Sequence, residues 1–300
     1  MTLRLTTAAM FMVAAALAYP FETVVERWVL GVALVVVIAL FAWWRGEFVT
    51  TRFGHRWAIW RGNRGASAER QSVESATVVL RIDGAQSAGL PVAVLAGYAD
   101  RYGLKLDKVR ITSCDLGGQR QSWISLTLDA TRNLPALQAR SPRIPLHDTV
   151  NIVARRLADQ LREDGWVITP VTDVVGPVRP EARETWRALN DDAGFLAVYR
   201  VPAPALEEAL DAVATHPSEE TWTAVEFGAG TVAAVTAVRS ADSPAVRPPI
   251  PGLAALGGRQ RRVLTALNPL SQQRIIGHQV ADPELAGRLH WPTGSSPVRT

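Results

Sequence analysis

Two apolar runs that follow each other within the first 45 residues constrain this 300-residue chain more than any other feature. The first, Leu5–Val25, is apolar apart from threonines, one proline and Glu22, and the second, Trp28–Trp44, carries no charged residue. A helix needs about 20 mainly apolar residues to cross the hydrocarbon of a bilayer. We therefore predict two transmembrane helices that form a hairpin over residues 1–45, with Pro20–Arg27 as its turn.

Arginines behind the second run predict the orientation of this hairpin. The turn holds a single arginine, Arg27, whereas five arginines and one acidic residue lie between Arg45 and Arg64. Because basic residues concentrate on the cytoplasmic side of a membrane, both termini of a multi-pass inner-membrane protein are predicted to be cytoplasmic. An alternative makes the first run a signal peptide cleaved near Ala16–Ala18, and it leaves the downstream domain on the same side.

Aromatic and basic side chains around the second run are candidates for contact with the membrane interface. Tryptophan rings favour the headgroup layer, and arginines attract anionic headgroups. Behind the run, Arg52–Arg64 places aromatic residues at helical spacing among arginines, so it is either an interfacial amphipathic helix or an irregular basic linker. The candidate interface residues are Trp28, Trp43, Trp44, Arg45, Arg52, Arg56, Trp57, Trp60 and Arg61.

The distribution of charge argues against a nucleic-acid partner. The chain has 32 basic and 28 acidic residues, of which residues 1–65 hold 7 and 3, so residues 66–300 hold 25 of each. Domains that bind nucleic acid usually carry a basic surface, and the neutral larger part of this chain has no such excess. The only cysteine, Cys114, excludes a disulfide within the chain and fits a reducing compartment.

The pattern of apolar residues predicts an α+β fold for the region behind the hairpin. Alternation of period two marks two of the four predicted strands, β-branched residues mark the first strand, and a 3.6-residue stripe marks the second of two helices. The order of the elements is the β-α-β-β-α-β of a ferredoxin-like unit. The predicted elements are strands at 76–83, 107–114, 121–129 and 166–171 and helices at 90–102 and 147–164. Residues 181–238 add further αβ elements, beginning with a helix at 181–189, which form either a truncated second unit or more strands of one sheet.

These predictions divide the chain into four segments. They are a transmembrane hairpin at 1–45, a basic juxtamembrane segment and linker at 46–75, a cytoplasmic αβ domain at 76–239, and a proline-rich linker and tail at 240–300. We expect the tail to be extended or to dock on a partner, with disorder as the alternative.

No spacing typical of a catalytic, metal or phosphate-binding motif occurs in the chain, and no cofactor is predicted. Gly228–Gly230 lacks the third glycine of a dinucleotide loop and favours a hairpin turn. Asp191 and Asp192 could bind a metal with a nucleotide-sugar, but their turn sequence favours aspartate for conformational reasons alone. Cys114 has no histidine beside it in the sequence, so we interpret it as a small buried hydrophobe.

The order of these segments, together with the sequences of two of them, resembles the EccE family. The two segments are Gly89–Thr112 (GLPVAVLAGYADRYGLKLDKVRIT) and His147–Trp166 (HDTVNIVARRLADQLREDGW). EccE is a membrane component of the actinobacterial type VII (ESX) secretion systems. The resemblance runs from about residue 3 to residue 240, and the two segments look most like the ESX type used for iron acquisition. It implies a structural subunit with the partners EccB, EccC (the ATPase) and EccD, and the family has no established catalytic residues.

Two functional hypotheses follow from the sequence. The first is a non-enzymatic subunit of an inner-membrane secretion complex, anchored in the lipid bilayer, whose cytoplasmic domain docks on neighbouring subunits. The second is a membrane-tethered enzyme, such as a degenerate glycosyltransferase-like protein at the cytoplasmic membrane face. The second hypothesis requires a metal or nucleotide site around Asp115, Asp191 or Asp192.

Overall fold

The chain divides into two compact units, residues 1–65 and residues 66–300. The computed structural model describes residues 74–83, 89–141 and 143–292 of the second unit. In the first unit it describes residues 9–10, 12–13, 25, 27–28, 30–34, 43–44, 47–48, 56–57 and 59.

The prediction of two N-terminal transmembrane helices is wrong. None of the helices in the described residues is long and apolar enough to cross a membrane. The end of the second apolar run is not helical, because Trp43–Trp44 pairs as an antiparallel strand with Glu47–Phe48. The run is rich in valine and tryptophan, which suit a strand as well as an apolar helix, so apolarity alone did not determine the conformation.

The second unit is built on one antiparallel sheet of eleven strands. The strands are β1 (Ser75–Asp83), β2 (Lys108–Leu116), β3 (Gln119–Asp129), β4 (Val167–Val171), β5 (Arg183–Glu184), β6 (Leu189–Asp191), β7 (Gly194–Val201), β8 (Glu220–Gly228), β9 (Thr231–Ser240), β10 (Ala254–Ala255) and β11 (Gln279–Val280). The helices are α1 (Val92–Gly97), α2 (Leu134–Gln138), α3 (Leu146–Glu163), α4 (Leu206–Thr215), α5 (Gln260–Leu267) and α6 (Leu285–Arg288).

The first half of the sheet has the strand order β4-β1-β3-β2, with α1 between β1 and β2 and α3 between β3 and β4. This is the arrangement of the split βαβ, or ferredoxin-like, unit. The predicted stripe of α3 is buried: Val150, Leu157 and Leu161 are fully buried, and Val153 is nearly so. Hydrophobic periodicity was therefore a reliable guide here, since α3 must cover the sheet along one face.

The second half repeats part of the first half. β7, α4, β8 and β9 follow the order of β1, α1, β2 and β3, and β9 lies between β7 and β8 as β3 lies between β1 and β2. The two halves meet where β2 pairs antiparallel with β8, from Val109 opposite Phe227 to Leu116 opposite Glu220. The second αβ stretch is therefore a partial second unit that also extends the first sheet.

The predicted helix at 181–189 is not formed, and the chain makes the short strands β5 and β6 there. Between them, Thr185 and Ala188 close a turn: the hydroxyl of Thr185 donates to the carbonyl of Ala188 (2.9 Å) and accepts from its N–H (3.1 Å). Threonine hydroxyls compete with helical hydrogen bonds in this way, which explains the departure from the helical pattern.

Both faces of the sheet are covered. On one face, α1, α3 and α4 bury an apolar layer that includes Leu80, Ile111 and Val225. On the other face, α5 packs over a second layer that includes Trp123 and Trp222, whose rings stack with centroids 5.9 Å apart. The central strands are thus buried on both sides, and their polar side chains need partners inside the protein.

The C-terminal segment, residues 266–292, folds back over the sheet. After α5 it crosses the face that carries Trp222, pairs with β9 through β11, and reaches the helical face, where Trp291 is 2% exposed. The indole Nε1 of Trp291 donates to Ser113 Oγ at 2.9 Å, and its carbonyl accepts from the N–H of Leu90 at 3.1 Å. The sequence predicted an extended, partner-bound or disordered tail here, because few residues in the segment are periodic.

Candidate functional site

The two neighbouring aspartates that the enzyme hypothesis requires both form ion pairs with arginines. The side chain of Asp191 is 1% exposed and accepts from Arg239, with the carboxylate and guanidinium 2.7 Å apart. Asp192 is 81% exposed and accepts from Nη1 of Arg179 at 2.7 Å. Each carboxylate is thus engaged by a cation of the protein itself.

Asp115 lies far from this pair in the sheet. It lies near the end of β2 and accepts two hydrogen bonds from Arg120, of 2.6 and 2.7 Å. Strands β8, β9 and β7 lie between β2 and β6, which corresponds to roughly 19 Å at the usual strand spacing. Among the residues that the structure describes, no three His, Cys, Asp or Glu side chains are grouped as a metal ion requires. The structure therefore does not join the three aspartates into one site.

We expect a substitution of Asp192 to leave the protein intact. Asp192→Asn removes one exposed ion pair, and such pairs contribute little because water already solvates both charges. The melting temperature and protein export in the host should match those of the wild type. Asp191→Asn is the matched comparison, and it should lower the melting temperature because it leaves buried Arg239 without one of its two carboxylates. A loss of export with Asp192→Asn and an unchanged melting temperature would favour the enzyme hypothesis.

Cys114 is buried in β2, as interpreted from the sequence. Burial, and then the charges of Glu220 and Asp115, raise the pKa of its thiol to about 12. A thiol with such a pKa is protonated at neutral pH, whereas nucleophilic cysteines have lowered pKa values. The side chain therefore contributes to packing.

Gly228–Gly230 forms the hairpin turn that was predicted. Gly228 is paired with Thr231, which leaves Ala229 and Gly230 as a two-residue loop, and Gly230 has a φ of +67°. A Cβ on Gly228 would lie 2.6 Å from Nη2 of Arg274. Glycine at this position thus also admits the side chain of Arg274.

A buried ionic cluster in the middle of the sheet has no counterpart in the sequence predictions. We name it the Glu226 cluster; it consists of Lys108, Arg110, Glu226 and His278. Arg110 and Glu226 face each other across the β2–β8 pair, and their side chains are fully buried. The guanidinium donates to Glu226 Oε2 through Nε (2.9 Å) and Nη2 (2.7 Å).

The Glu226 cluster binds the main chain of the C-terminal segment. Arg110 donates to the carbonyl of Ala266, and Lys108 Nζ donates to the carbonyls of Ser271 (2.8 Å) and Gln273 (2.5 Å). His278 Nε2 lies 2.8 Å from Glu226 Oε1. Burial by itself would raise the pKa of Glu226. Arg110, His278 and Lys108 together have a larger, opposite effect and lower the pKa to about 2. The cluster is thus a charged anchor for residues 266–278.

The sequence held one signal of this cluster. In β2, Lys108 and Arg110 alternate with Val109 and Ile111, a pattern that is typical of a strand with one face in water. The cover for these cations comes from the C-terminal segment, which has no periodic pattern of its own. The alternation therefore gave no sign that Lys108 and Arg110 are buried.

A cavity of about 460 Å³ opens between the ends of β7 and β9 and the loops at residues 216–219 and 241–249. Burial lowers the pKa of His216 in its wall. Arg239, the most deeply buried cation of the wall, is held by Glu220 and Asp191. This arrangement leaves the cavity without a converging set of groups for a ligand.

The candidate membrane-interface residues are only partly described. Trp28 and Trp57 are 71% and 63% exposed, and Arg56 is also exposed. Trp43 and Trp44 form the short strand described above. Arg45, Arg52, Trp60 and Arg61 lie outside the described residues.

Comparison with known proteins gives one family. A family model described as "Putative type VII ESX secretion system translocon, EccE" matches residues 117–201. The ESX-3 secretion system protein EccE3 of Mycolicibacterium smegmatis is 51% identical over 288 residues, which cover 94% of this chain and 93% of that protein. EccE3 of Mycobacterium tuberculosis is 41% identical over 304 residues, which cover 97% and 92% of the two chains. These matches confirm the resemblance that the sequence segments indicated.

Proposed function

Because the chain belongs to the EccE family and is thus a component of a type VII secretion system, we propose that it is a non-enzymatic structural subunit whose sheet domain docks on neighbouring subunits during protein export. One observation carries this proposal: the similarity to ESX-3 proteins extends over 94% of the chain. The sequence similarity therefore extends over both units of the chain.

The geometry of the second unit supports a role without catalysis. Asp115, Asp191 and Asp192 each accept from an arginine, and Cys114 is a buried thiol with a raised pKa. Polar groups in the middle of the sheet are used to hold the protein's own C-terminal segment. These are features of a folded scaffold rather than of a reaction centre.

The partners we propose are the other subunits of the complex. The resemblance to EccE implies EccB, EccD and the ATPase EccC as neighbours, and the names of the relatives favour the ESX-3 system, in keeping with the iron-acquisition type. The balance of 25 basic and 25 acidic residues in the second unit supports protein partners over nucleic acid.

We also propose that the complex holds the chain at the cell membrane and that the candidate interface residues contact lipid headgroups. The exposed rings of Trp28 and Trp57 and the neighbouring Arg56 support this contact, since such side chains favour the interface. The cytoplasmic position of the termini was predicted from two membrane spans, and the described residues include no helix that is long and apolar enough to form one.

The test is purification of the tagged full chain from its host in mild detergent, with the co-purifying proteins identified by mass spectrometry. We expect secretion-system subunits, including the ATPase, and we expect export to fail in cells that lack the chain. The variant with Arg52→Glu, Arg56→Glu and Arg61→Glu should keep these partners, and its purified chain should bind vesicles that contain phosphatidylglycerol more weakly than the wild type. A chain that purifies alone from cells with normal export would contradict the proposed function.

A further inference from the structure

Three arginines from different elements converge on one exposed tyrosine next to α3. The guanidinium carbon of Arg101 lies 5.1 Å from the ring centroid of Tyr102, and that of Arg156 in α3 lies 4.8 Å from it. Arg140, just behind α2, donates from Nη2 to the carbonyl of Tyr102 at 3.4 Å. We name these four residues the Tyr102 patch.

The cations of the Tyr102 patch form no ion pair within the described part of the chain. About half of the other arginines of the second unit do have a carboxylate close by, as in the pairs of Arg120 with Asp115 and of Arg162 with Asp159. Two positive charges therefore lie over the Tyr102 ring and a third lies at the carbonyl of the same residue, without a paired carboxylate among the described residues.

The backbone at Tyr102 provides an independent observation. Tyr102 has a φ of +58° and Gly103 a φ of +70°, and the two form the loop between the short strands Asp100–Arg101 and Leu104–Lys105. A two-residue hairpin loop with positive φ at both positions favours Asn-Gly. Tyrosine is disfavoured in this conformation. Its side chain is 44% exposed, and it contacts Tyr98 edge-on with ring centroids 6.1 Å apart. Strained residues of this kind cluster at binding sites.

We propose that the Tyr102 patch is the docking site for an acidic segment of another subunit of the secretion complex, an inference that rests on the proposed function. Guanidinium groups bind aspartate and glutamate carboxylates through paired hydrogen bonds, and arginine and tyrosine are enriched at the centres of protein interfaces. One feature favours a protein over a lipid surface. Polybasic recognition of membranes uses clusters of about four to eight Lys or Arg, which is broader than the three arginines of this patch.

The experiment compares full-length variants in the purification described above. Arg101→Glu with Arg156→Glu should lower the recovery of at least one secretion subunit about tenfold or more, since reversing interfacial charges costs at least that factor in affinity. Arg155→Glu with Arg262→Glu is the matched control. It makes the same charge change on two exposed residues, of α3 and α5, that have no contact with Tyr102, and recovery should stay within about twofold.

A second variant separates binding from folding. Tyr102→Asn creates the preferred Asn-Gly turn, so the melting temperature should be equal to or higher than that of the wild type, while recovery of the same subunit falls. A photo-crosslinking residue at position 102 should label a peptide that carries several Asp or Glu residues. Changing those acids to arginine should restore capture by the double glutamate variant.

Several outcomes would overturn the inference. They are undiminished recovery with the double variant, a crosslink to a peptide without acidic residues, and a crosslink to a second copy of this chain. Retained subunits with lost binding to phosphatidylglycerol vesicles would assign the patch to the membrane instead. If the wild type captures no secretion subunit, the proposed function itself fails; if the wild type and the double variant capture equally, only the docking site is refuted.

Discussion

Glu226→Gln should destabilise the second unit by about 3–5 kcal/mol, which is the usual cost of removing one partner from a buried ion pair. Glu226 and Arg110 are fully buried, and the carboxylate also contacts His278. Glutamine keeps the shape of the side chain but leaves Arg110 and Lys108 without a buried negative charge. Urea unfolding of the purified full chain measures the change.

The control for this substitution is Asp159→Asn, which removes an exposed pair with Arg162. Pairs of this kind contribute at most about 1 kcal/mol, so the two free energies of unfolding should differ clearly. A change of less than about 1 kcal/mol for Glu226→Gln would show that the cluster is solvated or that its cations find other partners.

The same carboxylate makes stability depend on pH in the acid range. The pKa of Glu226 is about 2 in the folded chain, against an ordinary value of 4.5. A lowered folded pKa means that the contribution is complete above about pH 4.5 and is lost as the pH falls towards 2; it amounts to about 3 kcal/mol. The difference in stability between the wild type and Glu226→Gln should therefore shrink over this range, and a constant difference would exclude the assignment.

Trp291→Ala should cost about 3–5 kcal/mol, as truncation of buried tryptophans does. The ring is 2% exposed and packs among residues of α4, beside Leu210 and Val213. Its loss opens a cavity and also removes the hydrogen bond to Ser113 Oγ. The end of the C-terminal segment should then detach from the helical face, which hydrogen exchange at Leu90 and Leu289 would report.

Trp291→Phe is the matched variant because it keeps an aromatic ring and removes only the N–H donor and part of the volume. We expect a smaller cost, about 1–2 kcal/mol, since Ser113 loses one of its two buried partners and keeps Ser122. Equal costs for the two variants would mean that the hydrogen bond, and not the packing, fixes the segment. An alanine variant as stable as the wild type would show that the segment contributes nothing to the fold.

Local sequence patterns predicted α3 and several strands of the sheet. The stripe of α3, the β-branched run of β1 and the alternation in β2 and β3 gave their positions to within a few residues, because each has one face in the apolar layer. The polar turn around Thr185 was missed because its hydroxyl outweighs a weak helical pattern. At the N-terminus, apolar composition alone predicted two complete spans, whereas the described end of the second run, Trp43–Trp44, is a strand.

The candidate site depended on contacts that a single sequence does not display. Asp191 and Asp192 are adjacent in the chain, yet Asp191 pairs with buried Arg239, and Arg179 lies 2.7 Å from Asp192 and 3.8 Å from Asp191. In the Glu226 cluster, Lys108 donates to the carbonyl of Gln273, 165 positions away, and nothing in the sequence around Lys108 indicates that partner. Such pairings appear only when the sheet order is known.

The pairing of β2 with β8 has a consequence for the order in which the protein can form. Arg110 and Glu226 are 116 positions apart, and Ser113 meets Trp291 across 178. Contacts of such long separation form slowly, because a large loop must close before they contribute. During synthesis, the first half therefore leaves the ribosome before β8 is available to pair with β2. Arg110 is then without its partner Glu226. We expect the chain to become competent for assembly only after its last fifty residues have been made, so that incomplete chains are excluded from the secretion complex.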